Sequence, residues 1–434
     1  MKRYAIEKLR AWKKGLRRKP LLVQGARQVG KTWLLREFGR LEYANTAYIN
    51  LAENEDAVAA FDGSLRVDSL VRKLSAASGE AIREGDTLIV LDEIQVSERA
   101  LNALKFFREN APQYHVAAAG SLLGVALNHN RMSFPVGQVD FLNLHPLGFC
   151  EFLEAVGAGD LCAYLQAGDW ESMEAVRGRY MEQLRLYLCI GGMPEAVSAF
   201  ADEPDFAAVR RIHRAILQSY ENDFGKYISR KDFANIRAVW EAVPRMLAHE
   251  RKFAYSKVKP GGRGRDFEGS IEWLCRSGLL HRVNRITKPS LPLAAYGDSG
   301  AFKLYMLDCG LLGTMAGLEP EAVLQGSALF TEFKGTLAEQ YVLQTMKLQE
   351  ELPIAYWSTE SNSAEVDFIF GRKGAIIPLE VKSAANLKSK SLQSYRARYA
   401  PPYAVRASLA GMGEEQGLFS IPLYAMERMM DILP

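Results

Sequence analysis

Cysteine is scarce in this chain. Five are spread over 434 residues, Cys150, Cys162, Cys189, Cys275 and Cys309, with no paired spacing of the kind that holds zinc or builds a disulfide framework. They read as reduced core residues of a cytosolic protein. No apolar run is long enough to cross a bilayer, and the amino terminus lacks the apolar segment of a signal peptide. The expectation is a cytoplasmic protein with no membrane partner. An excess of charge is lacking too: 54 basic residues against 51 acidic ones leave a formal +3, so any surface suited to nucleic acid must be local. There is no internal repeat and no low-complexity linker. The length nevertheless exceeds what one compact core can hold, and roughly 150 residues per domain gives about three domains.

What is present is organised around GARQVGKT, Gly25 to Thr32, which fits the phosphate-binding P-loop pattern. An apolar run ending at Gln24 precedes it as a buried strand would, and Trp33 to Phe38 follows with helical spacing. In that setting Gly25 and Gly30 let the backbone N–H groups of Ala26, Arg27, Gln28 and Val29 turn toward phosphates, and the helix start at Lys31, Thr32 and Trp33 adds its positive end. Lys31 reaches the terminal phosphates and Thr32 places a hydroxyl on Mg²⁺.

A second apolar run, Thr87 to Leu91, delivers Asp92 and Glu93 to the carboxyl edge of the sheet, where open α/β folds bind ligands. Asp92 then holds Mg²⁺ through water and Glu93 polarises the attacking water. A third run, His115 to Ala119, ends at Ser121, placed either to sense the terminal phosphate or to cap the next turn. Shorter patterns fill the rest of this part: a strand at Ala47 to Leu51, helices at Leu65 to Glu84 and at Ser97 to Asn110. Residues 1–20 hold nine Lys or Arg against Glu7 alone, with Ile6, Leu9, Trp12 and Leu16 at helical spacing. That segment is either a packed amphipathic helix or a nucleic-acid contact.

Farther on, Gly191-Gly192 breaks a helix and Pro194 starts the next, a turn that either approaches the phosphates or only connects. Between about Asp232 and Leu312 a helix ending at Gly278 and a strand from Leu279 to Ile286 resemble a winged helix. Lys259, Arg263, Arg265, Arg276, Arg282 and Arg285 make it locally basic, suited either to a DNA backbone or to use as a connector. In the last part Val366 to Phe370 and Ile376 to Lys382 read as adjacent antiparallel strands. Asp367 is followed after twelve residues by Glu380 and after one more by Lys382, an arrangement that puts carboxylates and a lysine on one face. They are candidates for a divalent-metal site, with Asp367 and Glu380 as ligands and Lys382 steadying a water or phosphate; paired surface salt bridges are the alternative. Pro378 inside the second strand implies an edge or a bulge.

GARQVGKT, LIVLDE, AAAGSLLG, SFPVGQVDFLNLHPLGFCEFL, GGMPEAV, FKLYMLDCGLL and the pair AEVDFIF and IPLEVKS together resemble a widespread prokaryotic family of AAA-type ATPases. Its members carry a carboxy-terminal domain of unknown function similar to restriction-endonuclease-like folds. The resemblance implies ATP as the nucleotide, a helical lid after residue 146, and Glu339, on a helix from Leu329 to Leu348, as a further metal ligand. It also implies a basic residue near position 138, where this chain has Gln138; Arg131 is the nearest substitute for an arginine finger.

The expected fold is therefore α/β: a parallel-sheet ATPase core over residues 1–145, a helical lid over 146–225, a winged-helix-like part over 226–315 and a nuclease-like α/β domain over 326–434. The expected function is Mg²⁺-dependent ATP hydrolysis, coupled to a nuclease-like domain that acts on DNA with a second Mg²⁺ or Mn²⁺. The alternative is an ATP-driven switch whose last domain binds a protein partner.

Overall fold

The computed structural model describes residues 1–121, 137–225, 230–250, 252–325, 331–349, 352–383 and 389–434. Arg131 lies outside them. Two sheets organise the chain. The first consists of β1 (Leu21–Gln24), β2 (Asn45–Asn50), β3 (Thr87–Asp92), β4 (His115–Ala119) and β5 (Asp140–Asn143), all parallel, in the order β2-β3-β4-β1-β5. β3 and β4 are buried along their whole length, as expected of central strands covered by helices on both faces. The helix Lys31–Glu42 follows β1, Val67–Ser78 precedes β3, and Glu98–Asn110 lies between β3 and β4, capped by Ser97 through the Ala100 N–H. Because β4 separates β3 from β1, their carboxyl ends set Asp92, Ser121 and the P-loop side by side.

The amino-terminal helix, Ala5–Lys14, packs Ile6 and Leu9 inward. Leu16 lies beyond its end and is fully exposed, which corrects its expected inward placement. Helices then dominate from Phe149 to His249, and Arg177–Ile190 ends at Gly191 with Pro194 opening Pro194–Asp202, as the sequence led us to expect. Packing of Phe149–Ala155 against Gly159–Ala167 brings Cys150 and Cys162 to a Cα separation of 5.2 Å, bonded as a disulfide. This corrects the reading of all five cysteines as reduced: the pair forms through helix packing, which their spacing does not announce. Cys189, Cys275 and Cys309 are free. Among the described residues no helix is long and apolar enough to cross a membrane.

The second sheet has eight strands: β6 (Leu280–Ile286), β7 (Asp298–Met306), β8 (Ile354–Ser358), β9 (Glu365–Arg372), β10 (Ala375–Lys382), β11 (Ala404–Ser408), β12 (Gly413–Glu415) and β13 (Leu418–Pro422). Their order is β12-β13-β11-β10-β9-β8-β6-β7. The helix Gly264–Arg276 leads through Gly278 into the antiparallel hairpin β6–β7, and β6 pairs in parallel with β8, so that hairpin and carboxy-terminal strands form one surface. β9 and β10 are antiparallel neighbours as expected. β10 is, however, an interior strand. Pro378 faces Ile369 on one side, while pairing with β11 on the other begins only at Leu379, so the missing N–H is not needed. The proline therefore marks neither an edge strand nor a bulge.

Candidate nucleotide site and a carboxylate–lysine cluster

The P-loop is held from three directions. Gly25 sits at φ 146°, and a Cβ there would come within 2.2 Å of the Leu144 carbonyl oxygen, so no other residue fits between β1 and the segment after β5. Arg3, buried ahead of the amino-terminal helix, donates to Val29 O at 3.0 Å and to His145 O at 2.7 Å, and its Nε lies 3.3 Å from Glu151. Arg27 is bonded through one nitrogen to both oxygens of Asp223, at 2.9 and 2.8 Å, and the Tyr220 hydroxyl donates to Arg27 O at 2.9 Å. Arg27 is thus a structural tie to the helix Phe206–Asp223 as well as a loop residue.

Lys31 is buried and donates to Gly25 O at 2.9 Å and Ala26 O at 2.7 Å. Burial pulls its pKa down to about 8, against the pull of the Glu93 and Asp92 carboxylates. Thr32 Oγ1 donates to Asp92 Oδ2 at 2.6 Å, and the Tyr48 hydroxyl donates to the same oxygen at 2.9 Å. Glu93 turns out of β3 with φ 51°, its N–H on Asp92 Oδ1 at 3.0 Å. Gln95 donates to Glu93 Oε2, and the Ser121 hydroxyl to Glu93 Oε1 at 3.4 Å. Ser121 therefore orients the glutamate in this state. Trp33 is partly exposed, and a Cβ at Gly30 would lie 3.6 Å from Pro194 Cγ. The turn at 191–194 thus stands against the P-loop. A hydroxyl and a carboxylate oxygen sharing one hydrogen bond, with a buried ammonium in the same loop, form a donor set suited to a hard cation and phosphate oxygens.

Of the basic residues in the 259–285 region, three are already paired. Arg276 bonds Glu272, Arg282 bonds Glu268, and Arg285 lies 2.5 Å from Asp298. Lys259 and Arg263 lie in the turn before Gly264–Arg276, and Arg265 stands in that helix's first turn, 4.0 Å from Asp266.

In the second sheet Asp367, Glu380, Lys382 and Glu339 come together. Lys382 Nζ is 2.7 Å from Glu380 Oε1, which also accepts the Ser389 hydroxyl at 2.9 Å. Asp367 Oδ2 accepts the Val381 N–H at 2.7 Å. Burial, with Glu339 and Glu380 close by, pushes Asp367 well above the ordinary carboxylate range. Three partners escaped the sequence reading. Lys303 and Tyr305 on β7 reach Glu339 Oε2 at 3.4 and 2.9 Å, and Lys303 reaches Glu365 Oε1 at 2.8 Å. A lysine inside the apolar run Phe302 to Met306 is the signal that marks them. Among the described residues no three His, Cys, Asp or Glu side chains are gathered as a metal-ligand set; Lys303 and Lys382 pair with Glu339 and Glu380. Among the described residues Glu380 Oε2, which is buried, has no hydrogen-bond partner.

Residues 17–153 match the AAA domain family, residues 181–322 a domain of unknown function (DUF8612) and residues 334–426 a second domain of unknown function (DUF4143). The chain carries a AAA-type P-loop ATPase domain followed by these two. Comparison with curated proteins gives no match. Among solved structures, the Walker-type ATPase of Pyrococcus abyssi is 14% identical, with 71% of this chain and 95% of that chain covered at a TM-score of 0.44. The ORC2 protein of Aeropyrum pernix, in its ADPNP-ADP complexes, is 13% identical, with 75% and 95% covered at a TM-score of 0.35. Likenesses this distant carry no argument about function.

Proposed function

We infer that the chain binds ATP at Gly25–Thr32 and hydrolyses it with Mg²⁺. The observation that carries this reading is the 2.6 Å bond from Thr32 to Asp92, which joins the P-loop to the acidic strand end at the place where the ion would sit. When bound, Mg²⁺ neutralises charge on the terminal phosphates. Thr32 and Asp92 would hold it, and Lys31, released from its two loop carbonyls, would bind the phosphate oxygens. Glu93 lies beyond Asp92, held by Gln95 and Ser121, and orients and polarises the attacking water. The test is ATP binding and phosphate release by the full chain. Lys31→Ala loses binding, whereas Glu93→Gln keeps ATP bound with turnover reduced about a hundredfold or more. Wild-type turnover in Glu93→Gln removes the glutamate from the mechanism.

A second reading concerns the last region, and the orphaned, buried Glu380 Oε2 favours it. Glu339, Asp367 and Glu380 would hold a divalent cation, Mg²⁺ or Mn²⁺, once Glu339 leaves Lys303, and Lys382 would bind a phosphate of DNA next to it. ATP hydrolysis at the first sheet then drives or licenses cutting at the second. The competing reading, a nucleotide switch with a protein-docking last domain, predicts that a protein partner and not DNA stimulates ATP turnover.

A further inference from the structure

A loop that grips phosphate through its backbone depends on which way each peptide faces, because in a planar trans peptide the carbonyl of one residue and the N–H of the next point in opposite directions. Arg3 fixes one such peptide of the P-loop. Its Nη1 donates to Val29 O at 3.0 Å from the flank that faces the segment after β5, where its Nη2 donates to His145 O at 2.7 Å. With Val29 O held on that flank, the Gly30 N–H is turned to the other. Gly30 itself sits at φ 93° and ψ 26°, ahead of helical Lys31, a pairing that aims successive N–H groups one way as an anion-binding nest does. The guanidinium is itself locked. Arg3 is buried, its Nε lies 3.3 Å from Glu151 Oε1, and the same oxygen accepts the Tyr4 N–H at 2.6 Å, while Glu151 Oε2 accepts the Gly148 N–H at 3.1 Å. One buried ion pair thus carries the start of the helix Phe149–Ala155 onto the loop.

We propose that Arg3 is a positioning residue of the nucleotide site, which keeps the Val29–Gly30 peptide turned so that the Gly30 N–H faces the β-phosphate. The proposal rests on the ATP reading given above. Without the guanidinium, Val29 O loses a buried donor, and the peptide is free to turn its oxygen toward the phosphate, exchanging a charge-assisted hydrogen bond for repulsion. Lys31 is no replacement, since in this state it holds Gly25 O and Ala26 O. The Gly30 contact is made to a phosphate that ATP and ADP share and that is held before and during transfer alike. Arg3 therefore governs affinity for both nucleotides, with little effect on the chemical step.

The experiment is calorimetry of ADP with Mg²⁺ and steady-state ATP hydrolysis on the full chain, with thermal unfolding of each variant as the check on folding. Arg3→Met is expected to raise the ADP Kd and the ATP KM each by about twentyfold, and to lower kcat at saturating ATP by no more than about twofold. Arg3→Lys keeps a charge but lacks the fork that bonds both carbonyls, and its ADP Kd is expected to rise about threefold. An arginine that only supports the fold would lower the melting temperature and leave the Kd of the folded protein where it was. That result in Arg3→Met, or a fall in kcat with KM unchanged, overturns the proposal alone. If Arg3→Met does not fold, Arg3→Lys decides: an ADP Kd equal to wild type overturns the proposal. Absence of nucleotide binding in wild type overturns the ATP reading, and this proposal with it.

Discussion

Asp308 Oδ2 accepts the N–H of Gly192 at 2.6 Å, tying the turn that abuts the P-loop to the end of β7. Its other oxygen caps Cys309–Met315 through the Leu311 N–H at 3.0 Å, and Gln344 of the helix Thr331–Leu348 donates to Oδ2 at 3.3 Å. One buried side chain thus joins the nucleotide side to the helix that carries Glu339. Asp308→Ala leaves two buried N–H groups without acceptors and should cost about 3 kcal/mol of stability. Gly191→Ala should do comparable harm, since Gly191 has φ 71° and its Cβ would lie 2.1 Å from Asp308 Oδ1. Urea unfolding checks both. Wild-type stability in Asp308→Ala would show that the turn finds other acceptors.

The nucleotide half was legible because its chemistry is local: eight consecutive residues make the cradle, and an apolar strand announces where Asp92 and Glu93 emerge. Asp367, Glu380 and Lys382 were legible for the same reason, through strand alternation across one hairpin. Lys303, Tyr305 and Asp308 were not, because their partners lie more than thirty residues away in a sheet whose order cannot be read from any single strand. The Cys150–Cys162 bond was missed because the packing of two helices makes it, and the exposure of Leu16 because periodicity runs past the helix that produces it.

Of the six basic residues suited either to a DNA backbone or to a connector, Arg276, Arg282 and Arg285 pair closely with acids and Arg265 lies 4.0 Å from Asp266. If Arg263 and Arg265 touch phosphates, the double replacement by Ala should reduce the slope of log affinity against log salt by about 2. Binding measured by fluorescence anisotropy over a salt series checks this. An unchanged slope favours the connector role.

His213 is buried, with Nε2 donating to Ile190 O at 2.9 Å and Nδ1 2.8 Å from the Thr314 hydroxyl. Burial, helped by the Arg210 guanidinium, lowers its pKa from 6.5 to about 4. The unfolded chain therefore binds a proton that the folded one refuses. Stability from this group is whole above about pH 6.5 and is lost as pH falls toward 4, by about 2 kcal/mol at about pH 5. Gln at this position keeps a donor for Ile190 O and does not titrate. The loss of stability between about pH 7 and about pH 5 should be smaller in His213→Gln by that amount. Parallel curves for the two proteins would mean that His213 is protonated in the fold.

The last prediction separates the two sheets. Asp367 accepts the Val381 N–H of β10 and Lys382 pairs with Glu380, far along the chain from the P-loop and its acidic strand. If the cluster cuts DNA, Asp367→Ala and Lys382→Ala should each abolish Mn²⁺-dependent strand cleavage while leaving basal ATP turnover within about twofold of wild type. Lys31→Ala should do the reverse to ATP binding and, if hydrolysis licenses cutting, suppress cleavage as well. Cleavage and phosphate release recorded in one reaction, with linear and single-stranded DNA, resolve these outcomes. Cutting that survives Asp367→Ala would point to a contaminating nuclease. Loss of ATP turnover in Asp367→Ala would mean that the two sheets act as one machine whose first step already depends on the second.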